Sequence, residues 1–202
     1  VATRMWRQAS RRPEETRIIR AGGAGDADTA GPACRYDPGG RLRFSTISPG
    51  DAATCGVEAE TGSAYCWGSN AFGQLGNNTL SSSASPVDVS GLASGVLALA
   101  AGESHNCAVT ASGAASCWGN NAAGQIGDGT VMHRQIPVSV LSGGVSQVSE
   151  GTRHSCALLA GGAVECWGEN GIGQIGDGTV TGRPIPTGVV GNSSRLGVEA
   201  GD

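Results

Sequence analysis

The sequence contains no lysine: all thirteen of its basic Lys+Arg positions are arginine. It is also poor in aromatics, with four Trp, two Tyr and two Phe in 202 residues, and it lacks long apolar runs. A membrane-spanning helix needs about 20 consecutive apolar residues, and a signal-peptide core about 7–15. Neither occurs, so no membrane association is expected. The stretch Arg17-Ile18-Ile19-Arg20 is too short to hold to a bilayer. The signatures of several chemistries are missing as well. There is no Gly-Lys-Ser/Thr phosphate loop, no dense carboxylate run at calcium-loop spacing, and no Cys/His spacing of the known zinc signatures.

Charge is unevenly placed. Nine arginines (Arg4, Arg7, Arg11, Arg12, Arg17, Arg20, Arg35, Arg41 and Arg43) lie in residues 1–43 with five acids, about +4 in all. Residues 44–202 hold four arginines and twelve acids, about −8, so the chain totals −4. A basic stretch can be a nucleic-acid or membrane arm. This one lacks the interleaved aromatics that stack on bases, and its Gly/Ala/Arg-rich composition suits a poorly ordered lead-in. The acidic remainder disfavours DNA by counterion logic, so nucleic acid is not an expected partner.

What the chain has in quantity is repetition. Tyr-Cys-Trp-Gly at 65–68 recurs as Ser-Cys-Trp-Gly at 116–119 and Glu-Cys-Trp-Gly at 165–168. Each copy leads to Gly-Gln-Ile/Leu-Gly and a short polar turn. A period of about 50 residues is that of propeller blades or repeat arrays. Upstream of each copy, two short apolar runs flank a turn ending in Gly. In the second unit these are 105–110 and 114–118 around Ala111-Ser112-Gly113, and the spacing reads as a β-hairpin. The third unit turns at Ala160-Gly161-Gly162, and the first uses one residue more, Ala59-Glu60-Thr61-Gly62. A strand precedes each hairpin (Val96–Ala100, Val145–Ser149). Another follows from Pro86, Pro137 and Pro186; proline cannot donate to a ladder, which puts this last strand on a sheet edge. Four antiparallel strands per unit is the anatomy of a propeller blade, so the expected fold class is all-β.

The pattern His-x-Cys-Ala, then Cys-Trp-Gly, then Gly-Gln-Ile-Gly-Asp-Gly-Thr resembles the regulator of chromosome condensation repeat family, and most nearly its bacterial, cysteine-bearing branch. The resemblance covers residues 44–202: units of about 44–90, 91–141 and 142–190, with the start of a fourth at 191–202. It implies a β-propeller, commonly of seven blades. With three units and no initiator Met, the chain is expected to be a piece of a longer protein.

The cysteines follow the hairpins. Counting outward from the turns pairs Cys107 with Cys117 and Cys156 with Cys166. The first turn is longer by one and so is the cysteine spacing, which keeps Cys55 opposite Cys66. Directly opposed residues have Cβ atoms about 4.5–5.5 Å apart, near enough for a disulfide after modest adjustment. A disulfide within each blade is the expectation, and with it an oxidising, extracellular or cell-envelope location in a bacterium; a cytoplasmic location is the alternative. Buried free thiols and a His-Cys-Cys zinc set remain the competing readings. The first unit argues against zinc, because Ala53 stands where the others have His105 and His154. Cys34 has no repeat partner.

The other recurring residues read as structural. Trp67, Trp118 and Trp167 are expected to pack between blades. The loops with Gly127-Asp128-Gly129 and Gly176-Asp177-Gly178 become Gly76-Asn77-Asn78 in the first unit. Asp-Gly and Asn-Asn share a tolerance for positive φ, so turn geometry accounts for all three. His105 and His154 have neighbouring serines but no recurring third group for catalysis. The resemblance implies a structural His that bonds backbone between strands. No catalytic set, metal or cofactor is expected.

Function is expected in the loops of a rigid disc. The units differ most at Ala71-Phe72, Ala122-Ala123 and Gly171-Ile172, and again at 80–83, 131–134 and 180–183. A non-catalytic protein-interaction scaffold with an unidentified protein partner is the leading expectation. Guanine-nucleotide exchange on a small GTPase, the founding activity of the family it resembles, is the alternative. Inhibition of a secreted enzyme is a further one.

Overall fold

The computed structural model describes residues 41–191. The arginine-rich lead-in before residue 41, Cys34 and the start of a fourth unit after residue 191 lie outside the described residues. Those described form twelve strands in three four-stranded antiparallel sheets, with no helix among them. The first sheet is β1 (Phe44–Pro49), β2 (Ala53–Glu58), β3 (Ala64–Gly68) and β4 (Ser83–Asp88). The second is β5 (Val96–Ala101), β6 (His105–Thr110), β7 (Ala115–Gly119) and β8 (Arg134–Leu141). The third is β9 (Val145–Glu150), β10 (His154–Leu159), β11 (Val164–Gly168) and β12 (Arg183–Gly188). Within each sheet the strands follow chain order, as in propeller blades.

The hairpin registers follow from turn length. Cys55 faces Cys66, Cys107 faces Cys117 and Cys156 faces Cys166. The extra residue of the first turn is held by Glu58. Its buried carboxylate accepts hydrogen bonds from the backbone N–H of Glu60 (3.0 Å) and Thr61 (2.8 Å) and from the Thr61 hydroxyl (2.6 Å).

The outer strands begin three residues before the prolines from which the sequence predicts them. Ser83, Arg134 and Arg183 already pair with Gly68, Gly119 and Gly168 across a register shift. The last residue of Cys-Trp-Gly makes this possible. Gly119 has φ 103°, and a Cβ there would lie 2.5 Å from the Ser104 carbonyl oxygen, so only glycine fits.

The core lies between sheets rather than within one. Val57, Leu75 and Val89 of the first unit meet Leu92, Val96, Leu99, Ala108 and Trp118 of the second. Val109, Ala115 and Ile126 of the second unit meet Val145, Val148, Ala157 and Trp167 of the third. Each unit therefore depends on its neighbours for burial, the general rule for repeat arrays.

Candidate functional site

The long loop between the third and fourth strands of each unit is built around one asparagine. Asn121 is fully buried, and its Oδ1 accepts from Ile126 N–H (2.9 Å). Its Nδ2 donates to the carbonyls of Thr130 and Met132 (both 3.1 Å) and to Asp128 Oδ1 (3.1 Å). Asn70 and Asn170 repeat these bonds. Sequence reasoning passed over this residue, although an Asn two residues after Cys-Trp-Gly in all three copies was a visible signal.

The same loop grips the following unit. Gln74 offers its carbonyl to Trp118 Nε1 (3.0 Å) and Asn106 Nδ2 (2.7 Å). Gln125 does the same for Trp167 Nε1 (2.9 Å) and the Ser155 hydroxyl (2.8 Å). Gly127 passes so close to the Trp167 indole that a Cβ would sit 2.6 Å from Nε1. Trp118 and Trp167 thus pack between units. Trp67 does not: it is half-buried against Phe44, with ring centroids 5.6 Å apart. No preceding loop among the described residues reaches it.

His105 differs from the role its resemblance implies. Its partners are side chains of the next sheet rather than backbone: Nε2 lies 2.8 Å from Glu150 Oε2 and 3.0 Å from Ser155 Oγ. The Ser155 hydroxyl proton goes to the Gln125 carbonyl, so Nε2 carries the proton and donates to serine and carboxylate alike. His105 Nδ1 and Glu150 Oε1 are buried without a hydrogen-bond partner. In a nucleophilic triad the imidazole uses its two nitrogens for two different partners. Here serine and carboxylate share one nitrogen, and His105 and Ser155 are sealed from solvent. The group is a polar staple between sheets. Ala53, at the position of His105, is buried, and its carbonyl accepts from Gly50 N–H (2.8 Å). His154 is half-buried with its ring against Gly151.

The three cysteine pairs lie opposite one another with Cα atoms 4.1 Å apart and sulfurs at disulfide distance. Among the described residues no group of three His, Cys, Asp or Glu side chains is placed to hold a metal ion.

Antiparallel order puts two kinds of connection at one end of every sheet. These are the short turns after β1, β5 and β9, and the long loops after β3, β7 and β11. Bonds such as Asn120 N–H to the Ser104 carbonyl (2.8 Å) tie turn to loop. On this face the three short turns line an open cleft of about 270 Å³ that carries Asp51, Glu103 and Thr152. The long loops present Phe72, Leu80, Val131, Met132, Ile172 and Val180 exposed. Phe72 of the first loop touches His133 of the second, ring centroids 5.1 Å apart.

Asp128 and Asp177 do more than shape turns. Asp128 pairs with Arg134 and accepts from the Thr130 hydroxyl (2.7 Å); Asp177 pairs likewise with Arg183 and Thr179 (2.7 Å). Arg134 and Arg183, read from the sequence as variable loop residues, are half-buried struts. Burial opposes ionisation of Asp128, yet the Thr130 hydroxyl and the Arg134 guanidinium outweigh it and hold the carboxyl below its ordinary 3.8. For Asp177 the Thr179 hydroxyl is the largest influence; against the opposing effect of burial it acts with Arg183 to lower the value to about 2. Unfolding raises both values, so the unfolded chain binds protons more tightly. The stability these groups contribute is present above 3.8 and is lost as pH falls towards about 2. Melting temperature followed through that window should fall less steeply in an Asp128→Asn/Asp177→Asn variant. An unchanged slope would contradict the assignment.

Comparison with known proteins agrees with this geometry. The family model "Regulator of chromosome condensation (RCC1) repeat" matches residues 61–109 and 112–158, and a second model of the same description matches 96–125 and 145–174. The human protein "Probable E3 ubiquitin-protein ligase HERC3" is 41% identical over 85 residues, which is 41% of this chain and 8% of that protein. Human WBSCR16 superposes with a TM-score of 0.63 at 25% identity, covering 73% of this chain and 39% of its own. Yeast RCC1 (Prp20), in its complex with Kap60, superposes with a TM-score of 0.67 at 19% identity, covering 77% of this chain and 38% of its own. The chain thus spans well under half the length of each of these proteins. Repeated blades, the loop-to-Trp junction between them and the family match together identify the chain as a member of the regulator of chromosome condensation (RCC1) repeat family.

Proposed function

We propose that this chain is a non-catalytic scaffold that binds a protein partner through the face carrying the long loops. The observation behind the proposal is a contrast within each loop. The framework recurs: one buried Asn and one leucine or isoleucine anchor (Leu75, Ile126, Ile175) in all three copies, and in the first two a Gln carbonyl bonded to the next unit. The tips differ from copy to copy and stand exposed, apolar at equivalent places: Leu80, Val131 and Val180, with Phe72 and Ile172 beside them. Exposed apolar residues rimmed by polar ones mark interaction sites, and a fixed frame with varied tips sets specificity without disturbing the fold. The acidic centre at Asp51 and Glu103 favours a partner that brings a basic group to the axis. The units, taken as about 44–90, 91–141 and 142–190, form the platform. Yeast RCC1 (Prp20), whose fold this chain shares, is itself found bound to a protein, Kap60.

The three cysteine pairs support an oxidising, extracellular or envelope setting. No helix among the described residues is long and apolar enough to cross a membrane.

The test is affinity capture with the chain and a Val131→Glu/Met132→Glu variant. Both residues are exposed, so the melting temperature should hold while the captured partner is lost. Equal capture by the two proteins would count against this face.

A further inference from the structure

We infer that His133 is a proton-sensitive latch at the tip of the second long loop. The Asn121 backbone N–H donates to His133 Nδ1 (3.0 Å). A ring nitrogen that accepts a hydrogen bond carries no proton, so this imidazole is neutral with its hydrogen on Nε2. Protonation puts a hydrogen on both ring nitrogens and leaves no acceptor. The latch therefore cannot stay closed once the ring is charged. Imidazole is the side-chain group that ordinarily changes charge between about pH 5 and 8, and His133 is exposed to solvent. The other two units show the same position without that property. Asn70 N–H donates to the Ser82 hydroxyl (3.2 Å), an acceptor that does not titrate in this range. The third unit has Gly182 there, with no side chain to accept.

The latch holds the part of the loop that stands clear of its frame. Asn121 Nδ2 keeps the carbonyls of Thr130 and Met132 in either protonation state, so the frame persists. The His133 ring has two contacts: the Asn121 N–H, and the Phe72 ring of the first loop, edge to face with centroids 5.1 Å apart. The charged groups beside it belong to its own loop, and these, Asp128 and Arg134, pair with each other. Among the described residues no carboxylate lies within ion-pair distance of His133, so a charged ring gains no partner by staying in place. Acidification frees the ring, and with it the packing on Phe72, next to the exposed Met132. The face that carries the long loops is thereby sensitive to pH in one unit of three. What this does to a partner rests on the proposal that this face binds one; the latch itself does not.

The experiment is nuclear magnetic resonance on the isotope-labelled chain, titrated from about pH 8 to about pH 5. At the upper end His133 should show a bare Nδ1 and a protonated Nε2. As the ring titrates, the Asn121 amide signal should move with the same midpoint. Its hydrogen exchange, corrected for the intrinsic pH dependence of exchange, should speed up about fivefold, the factor for one hydrogen bond. The Asn70 amide should not follow. His133→Ser copies the first unit at an exposed position, so it should melt like the wild type while Asn121 loses its pH dependence. That variant keeps His105 and His154, which separates their titration from that of His133. A bare Nε2 with a protonated Nδ1, an Asn121 amide that ignores the His133 titration, or a pH dependence that survives in His133→Ser would each overturn the inference. None of these readouts needs a partner, so they are independent of the affinity-capture test of the face.

Discussion

Replacing Trp118 by alanine should lower stability by about 3–5 kcal/mol, the range for removing a buried large aromatic. The melting temperature should drop by roughly 10 °C for a chain of this size. The indole fills the junction between the first two units, fully buried beside Leu75 and Val89. Its Nε1–H also satisfies the Gln74 carbonyl, which Asn106 alone would then hold. Most of the loss comes from the cavity, since one hydrogen bond contributes only about 1 kcal/mol net. Trp67→Ala is the internal control. That ring is half-buried and packs on Phe44, so its removal should cost about 1–2 kcal/mol. Equal losses at the two positions would show that the Trp of the repeat stabilises its own sheet rather than the junction.

The second large effect is expected at the cysteines. Changing Cys107 and Cys117 together to alanine should cost about 3 kcal/mol, the loop-closure value for a loop of about ten residues. Reductant should lower the wild-type melting temperature by a similar amount and leave the double variant less affected. Alkylation without reductant, followed by intact-mass measurement, checks the premise: the six paired cysteines should stay unlabelled. Six labelled thiols would make the pairs buried free cysteines. Cys156 is half-buried where Cys55 and Cys107 are sealed, so a mild reductant should open the third pair first.

The hairpins were legible because turn length and cysteine spacing vary together, and register is a local property that a count along the chain can recover. The Trp between units was legible from its period. What escaped the sequence was contact between neighbours. His105 and Glu150 lie 45 residues apart, and the repeat conceals their pairing because each blade holds only one of the two. An alanine at 53, which weakens a zinc reading, gives no hint of what His105 meets instead. Asn70, Asn121 and Asn170 sit in Gly-rich loops, where Asn reads as a turn residue; their carboxamides in fact reach backbone nine and eleven residues on. Asp128 and Asp177 were read as turn formers because Asn77 replaces them in the first unit. Asn77 keeps the bond to Thr79, but Ser83 stands where Arg134 and Arg183 make the ion pair.

The functional claim is that a partner rests on the long-loop face. Hydrogen–deuterium exchange on the chain with and without its captured partner tests this most directly. Protection should rise at 71–72, 80–83, 122–123, 131–134, 171–172 and 180–183, and stay unchanged at the hairpin turns 59–62, 111–113 and 160–162 on the opposite face. Protection confined to the hairpin turns would contradict the account.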